Sequence, residues 1–374
     1  MKNKDPKRKH KSLLGLLKWW IIGFAFLLLV LASLVVRLPY YLEMPGGAYD
    51  IRSVLKVNKK ADKAKGSYNF VAVSVSQATP AQVLYAWLTP FTELSSKEET
   101  TGGFSNDDYL RINQFYMETS QNESIYQALK LANKQVSLTY KGVYVLNLAK
   151  NSTFKDRLHL ADTVTGVNGK SFKNSSQLIK YVAALHLGDK VKVQYTSQGK
   201  KKESVGKVIK LSNGKNGIGI GLTDHTEVSS DVPVDFNTEG VGGPSAGLMF
   251  TLAIYDQLVK EDLRKGRKIA GTGTIEQNGH VGDIGGAGLK VVSAAKKGMD
   301  IFFVPNNPID KNAKKGKTKV QTNYQEAKAA AKRLGTKMKI VPVQNVQQAI
   351  DYLKKNKINS KSSGVCSAFL FCDI

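Results

Sequence analysis

Cysteine is nearly absent: the 374 residues hold two, Cys366 and Cys372, both within the last nine positions. The body of the chain therefore carries neither a disulfide framework nor thiolates for a metal cluster, and no metal or cofactor is expected. No segment reads Gly-x-x-x-x-Gly-Lys-Ser/Thr, which excludes an intrinsic ATP-driven unfoldase of the phosphate-loop type. Acidic charge is in deficit, with 30 Asp plus Glu against 55 Lys plus Arg, a formal net charge of +25. The basic residues have little aromatic interleaving and no recognisable nucleic-acid motif, so nucleic acid is a poor partner for them. Lys311 to Lys319 and Lys328 to Lys339 either attract anionic headgroups and wall polymers or form a merely solvated surface.

One long hydrophobic run is present. Trp19 to Val36 carries no charge, is bracketed by Lys18 and Arg37, and with Leu13 to Leu17 is long enough to cross a bilayer. Lys2, Lys4, Lys7, Arg8, Lys9, Lys11 and Lys18 precede it against Asp5 alone, so the positive-inside rule leaves residues 1–18 in the cytoplasm as a basic tail. The expectation is a single-pass protein of the cell membrane, with a helix at 19–37 and everything after it outside. A cleaved signal peptide, cut after Val30-Leu31-Ala32, is the rival, disfavoured by the length of the run and its paired tryptophans.

Gly243-Pro244-Ser245-Ala246-Gly247, followed 45 residues later by Lys290 in Ile284-Gly285-Gly286-Ala287-Gly288-Leu289-Lys290, is the pattern with chemical content. A proline at the first helical position is pre-organised for a helix start, which would put Ser245 in a first turn. The unpaired N–H groups of such a turn can hold an oxyanion, with Gly243, Pro244 and Ala246 shaping it. A serine hydroxyl needs a base, and a lysine serves only if burial pushes its amine well below the usual pKa. Ala287 to Lys297 reads as a helix with Leu289, Val292 and Ala295 on one face, so Lys290 lies near its start, where the dipole disfavours its charge. Gly-x-Ser-x-Gly is also the α/β-hydrolase elbow, which needs an acid and then a histidine downstream. His280 alone follows Ser245, in a turn, without a well-placed acid before it.

The joint pattern resembles the Lon protease domain, which carries its serine in Gly-Pro-Ser-Ala-Gly and its lysine after an Ile-Gly-Gly turn. Ile269 to Ile275, then Gly279-His280-Val281, matches the strand and hairpin that lead there. The resemblance implies Ser245 and Lys290 as the catalytic pair, with Thr272 hydrogen-bonding the lysine amine. Many Lon domains have an acidic residue just before Gly-Pro-Ser and Gly-Glu after the threonine, where this chain has Gly243 and Gly273-Thr274, with Glu239 nearby but shifted. Substrate contacts beside the pair are therefore expected to differ.

Leu42 to Ala48 resembles the extracytoplasmic start of a Gram-positive family, SepM-like, in which one transmembrane helix precedes a PDZ and a Lon-type serine protease domain. Within 135–212, Tyr140 to Val145 resembles the PDZ carboxylate-binding loop and its following strand, Ala161 to Gly169 the central hairpin and Ser176 to Ala184 the groove helix. The resemblance implies peptide capture at Lys141, Gly142, Val143 and Tyr144. An occluded groove, with the module only a spacer, is the alternative. The expected architecture is α/β (α+β) multidomain: a segment 38–134 packing on the protease domain, the β-rich PDZ domain, a catalytic α/β domain at 217–355 with alternating strands and helices, and a tail at 356–374. The implied activity is ATP-independent limited cleavage of a peptide or protein substrate, such as a secreted signalling peptide. A non-catalytic PDZ scaffold is the rival.

Overall fold

The computed structural model describes residues 6–309 and 321–355, with side chains from Gly15 onward. The tail at 356–374 with both cysteines, Lys311 to Lys319 and the first five residues lie outside the described residues. Among the described residues two compact units emerge, one within 6–47 and 72–109, the other within 48–71, 110–309 and 321–355.

The first part of the chain forms helix α1 (Pro6–Val35), strands β1 (Tyr40–Asp50), β2 (Leu55–Val57) and β3 (Ser67–Gln77), helix α2 (Pro80–Leu88), strand β4 (Glu93–Ser96), and helices α3 (Lys97–Thr101) and α4 (Asn106–Leu131). Among the described residues one helical stretch, Gly15–Val35 of α1, is long and apolar enough to cross a membrane, with mean hydropathy 2.1. In the smaller unit, β1 pairs antiparallel with β4 from Tyr40↔Ser96 to Glu43↔Glu93.

The middle of the chain gives β5 (Val136–Leu148), β6 (Thr163–Val167), α5 (Ser175–Ala183), β7 (Lys190–Ser197), β8 (Lys200–Lys207), β9 (Ile209–Lys210), β10 (Asn216–Gly217) and β11 (Ile220–Ser230). A five-stranded antiparallel sheet runs in the order β11-β5-β6-β7-β8. Alternation sends Val143, Val145, Val164, Val191 and Val193 to one face, where they meet Phe154, Leu158, Leu178 and Val182 in a core of their own. Gly217 to Leu222, expected to open the catalytic domain, thus supplies β10 and the start of β11, an edge strand of this sheet. The reason is register: Ile220 and Leu222 pack against the same core.

The remainder forms β12 (Val234–Phe236), α6 (Gly247–Leu258), β13 (Lys268–Gly271), α7 (Ala287–Lys296), β14 (Ile301–Pro305), α8 (Asn323–Leu334), β15 (Lys339–Val343) and α9 (Val346–Lys355). Strands β15, β14 and β13 are parallel, and β13 pairs in parallel with Ser67–Phe70 of β3. Strands joined by crossover helices and buried on both faces need continuous apolar runs, as in Ile301–Pro305, all five residues of which are buried. The second core joins Phe70, Leu129, Leu248, Phe250, Ile254, Ile269, Phe303 and Leu353, so residues from 48–71 and from α4 share it with α6, β13, β14 and α9.

Candidate active site

Strand β13 stops at Gly271, earlier than the expected Ile275: the Thr272 N–H still donates to the Phe303 carbonyl of β14 at 2.9 Å, but its hydroxyl and the Gly273 N–H are given over to a turn. The Ser245 carbonyl accepts from the Gly273 N–H at 2.9 Å and from the Thr272 hydroxyl at 3.1 Å. That carbonyl is thereby withdrawn from helix pairing. Helix α6 starts at Gly247 with Ala246 as its cap, and Ser245 sits in the turn before it, not in the first helical turn behind an N1 proline. Gly243 has φ +89°, which suits glycine. Its N–H donates to the Asn113 carbonyl at 2.8 Å, so it is taken. Helix α4 supplies two more braces: the Ser120 hydroxyl donates to the Pro244 carbonyl and the Ser124 hydroxyl to that of Gly247, each at 3.0 Å.

Lys290 comes from the start of α7, where Gly286 in the left-handed region (φ 65°) caps the helix. Its amine donates to the Ser245 hydroxyl at 2.9 Å and to the Thr272 hydroxyl at 3.2 Å. Lys290 is 5% exposed and Thr272 fully buried. Burial pushes the Lys290 amine down to about 8, while the Glu326 carboxylate opposes that shift. Glu326 also accepts the Gly288 N–H at 2.7 Å, capping α7. A buried amine poised near neutrality beside a hydroxyl is what general-base activation of a serine requires. His280 faces elsewhere, toward Glu276 at 3.1 Å and Asn307 at 3.2 Å, and makes no hydrogen bond to Ser245, so nothing here supports the α/β-hydrolase reading.

The residues expected to capture a peptide have a different setting. Lys141, Gly142, Val143 and Tyr144 lie inside β5 rather than in a loop, and β11 runs antiparallel along that strand from Leu148↔Ile220 to Val136↔Ser230. Gly142 (φ +141°) faces β6, since a Cβ there would meet the Val164 carbonyl oxygen at 2.1 Å, so its lack of a side chain serves strand packing. Lys141 pairs with Glu227 at 2.6 Å, and the Tyr144 ring stacks on His225 at 4.0 Å. Across the groove, the Asp224 carboxylate accepts the Ser175 N–H at the start of α5, at 2.9 Å, while Ile220 and Leu222 pack on the core that contains Leu178 and Val182 of that helix. The space between groove strand and groove helix is filled by the chain's own β11.

Sequence reasoning missed the bracing role of α4 and the part of Glu326. Residues 106–123 are too polar to show a helical stripe. The signals present were Asp107 and Asp108, acidic residues at a helix start, and Glu326 three residues after Asn323 at the head of α8.

A family model described as the PDZ domain matches residues 125–206. Among curated proteins, a Lon protease of Mycoplasmopsis agalactiae is 32% identical over 142 residues, 37% of this chain, and the chain spans 12% of that protein's length. Among solved structures, the PDZ domain of an SdrC-like protein from Listeria monocytogenes is 35% identical, covering 22% of this chain and 90% of that one with a TM-score of 0.22. The corresponding domain from Listeria innocua gives 35%, 22%, 96% and 0.22. The chain thus contains a PDZ domain within a mixed α/β multidomain protein and shares a partial likeness with a Lon protease.

Proposed function

We propose that this chain is a membrane-anchored, ATP-independent serine endopeptidase with a Ser245–Lys290 pair of the Lon type. The observation that carries the reading is the 2.9 Å hydrogen bond between a buried lysine amine and the Ser245 hydroxyl, with Thr272 contacting both partners. Neutral Lys290 takes the Ser245 proton as the hydroxyl oxygen attacks the scissile carbonyl. Lys290 then gives that proton to the leaving amine, and water, deprotonated by the same amine, releases the acyl group from Ser245. Pro244 has no N–H and the Gly243 N–H donates to the Asn113 carbonyl, so the reading assigns the oxyanion to the N–H groups of Ser245 and Ala246.

Without an unfolding motor, such a site acts on peptides or exposed segments, and the outward placement read from the basic tail makes a secreted signalling peptide the proposed substrate class. The scaffold alternative needs a free groove for partners, and the groove is filled by β11. The test is incubation of the full chain, in detergent, with a panel of secreted peptides beside Ser245→Ala and Lys290→Ala, read by mass spectrometry. Cuts made by the parent chain and lost in both variants support the reading; cuts that survive either substitution, or none by a folded parent chain, overturn it.

A further inference from the structure

From Phe70 to Thr92 no side chain is charged, in a protein whose residues are 23% Asp, Glu, Lys or Arg. This run contains α2, a well-formed helix with Pro80 at its first turn and a capping box between Thr79 and Gln82. None of its residues is buried. Leu84, Tyr85, Trp87 and Leu88 are 55, 49, 76 and 75% exposed. Trp87 and Leu88 are as open as Trp19 and Trp20 of the apolar span, at 74 and 77%. An apolar helix that finds no core has the same solvation problem as a membrane span.

Its place in the chain says what solves that problem. The Leu38 N–H, three residues beyond the end of α1, donates to the Ala78 carbonyl at 2.8 Å, and the Ala78 N–H donates to the Tyr40 carbonyl at 2.8 Å. Arg37 and Gln77 add side-chain bonds across the same junction, to the Gln77 and Leu38 carbonyls at 2.9 and 3.1 Å. The start of α2 is therefore tied to the exit of α1. At 1.5 Å per residue, its far end lies within about 14 Å of that junction. Tyrosine and tryptophan with leucines, free of charge, suit the headgroup–acyl boundary.

We propose that α2 is an interfacial anchor, lying in the surface of the bilayer that α1 crosses, with Leu84, Tyr85, Trp87 and Leu88 in contact with lipid. The proposal rests on reading α1 as a membrane span. The two together hold the chain at the membrane at two points and limit how it can tilt.

Tryptophan occurs only at 19, 20 and 87, which makes the test clean. Full-length Trp19→Phe/Trp20→Phe reports α2 alone, and Trp19→Phe/Trp87→Phe reports the span alone. Both are placed in phosphatidylcholine–phosphatidylglycerol nanodiscs, with and without brominated acyl chains, and challenged with iodide. The expected result is that bromolipid quenches both reporters and iodide reaches neither. Quenching of Trp20 by bromolipid and of Trp87 by iodide alone would put α2 in water and overturn the proposal while leaving the span intact. Shielding of Trp87 from both quenchers would assign the face to protein contact, such as a second copy, and overturn it equally. An unquenched Trp20 would overturn the span and the proposal together. Leu84→Asp/Leu88→Asp in the Trp87-only chain should relieve the bromolipid quenching at unchanged circular dichroism; persistence of the quenching would count against insertion through this face.

Discussion

The Ser245–Lys290 pair and the PDZ groove read alike as sequence, each a short motif pointing to a place where a peptide is held, yet the structure treats them in opposite ways. At the pair, three segments far apart in the chain converge and leave a hydroxyl and an amine facing each other, with Thr272 between them. At the groove, the main-chain edge that would receive a peptide is already paired with β11, and Asp224 of β11 accepts the first N–H of the groove helix. The proposed nucleophile and base depend on side chains that no neighbouring residue can replace. A strand edge is a row of N–H and C=O groups that any extended segment can satisfy, and a segment of the same chain competes at high effective concentration. Helix α4 touches both regions through adjacent residues, since Thr119 donates to the Asp224 carbonyl at 2.7 Å and Ser120 to that of Pro244.

Substitutions at the pair should give the largest effects. Ser245→Ala and Lys290→Met should each lower cleavage by roughly 10³-fold or more, as loss of a nucleophile or its base does, measured as initial rate on any cleaved peptide. Lys290→Met should also stabilise the fold at neutral pH by roughly 1–3 kcal/mol in chemical denaturation, because a buried ammonium is removed. With a folded pKa near 8 below the ordinary 10.5, that cost is present in full below about pH 8 and fades as pH rises toward 10.5. The same titration sets activity: the rate should climb with pH through a midpoint near 8, where Lys290 loses its proton, and then level off. A rate that falls across that range would remove Lys290 from the role of base.

Thr272→Val should lower the turnover rate by roughly 10–100-fold, the equivalent of one to two hydrogen bonds at the reacting groups, with little change in KM. Asp224→Ala should cost about 1 kcal/mol of stability and speed amide exchange over 220–225, while cleavage stays near that of the parent chain. A free-carboxyl peptide that protects the Val143–Leu148 amides of the parent chain would break the contrast between an open pair and a filled groove. Glu326→Gln should give the smallest effect, moving the pH midpoint below 8 by less than a unit, since the carboxylate that favours the charged amine is gone.

Much of the fold was legible where apolar residues repeat with a clear period. The apolar run Ile301 to Val304 predicts a strand, and β14 is that run with one further residue; the spacing from Val346 to Leu353 predicts a helix, and α9 extends it by two. The helical spacing of Ile125, Ala128, Leu129 and Ala132 predicts a helix over Ser124 to Lys134, which overlaps only the apolar end of α4, a helix that runs from Asn106 to Leu131. Its polar half is held by contacts such as Gln121 to Thr238 and Asn122 to the Thr226 carbonyl, which no local pattern encodes. At the candidate site, the sequence singles out Ser245, Lys290 and Thr272 because the chemistry proposed for them is tied to residue type, and the structure brings the three within hydrogen-bond distance. Asn113, Ser120 and Glu326 were not legible, since they act through backbone groups that many side chains could reach.

By itself the sequence determined which side chains are on offer and where water is a poor solvent: a serine, a lysine and a threonine in glycine-framed turns, and an uncharged N-terminal run that water does not accommodate. Those follow from side-chain chemistry and hydropathy, which are properties of the residues. Only the tertiary structure decided that Lys290 is buried enough to sit near neutrality, that Ser245 stands before its helix rather than in it, and that β11 closes the groove. Each depends on what lies beside a group rather than on what the group is, because desolvation, hydrogen-bond competition and strand pairing are settled between segments distant in the chain.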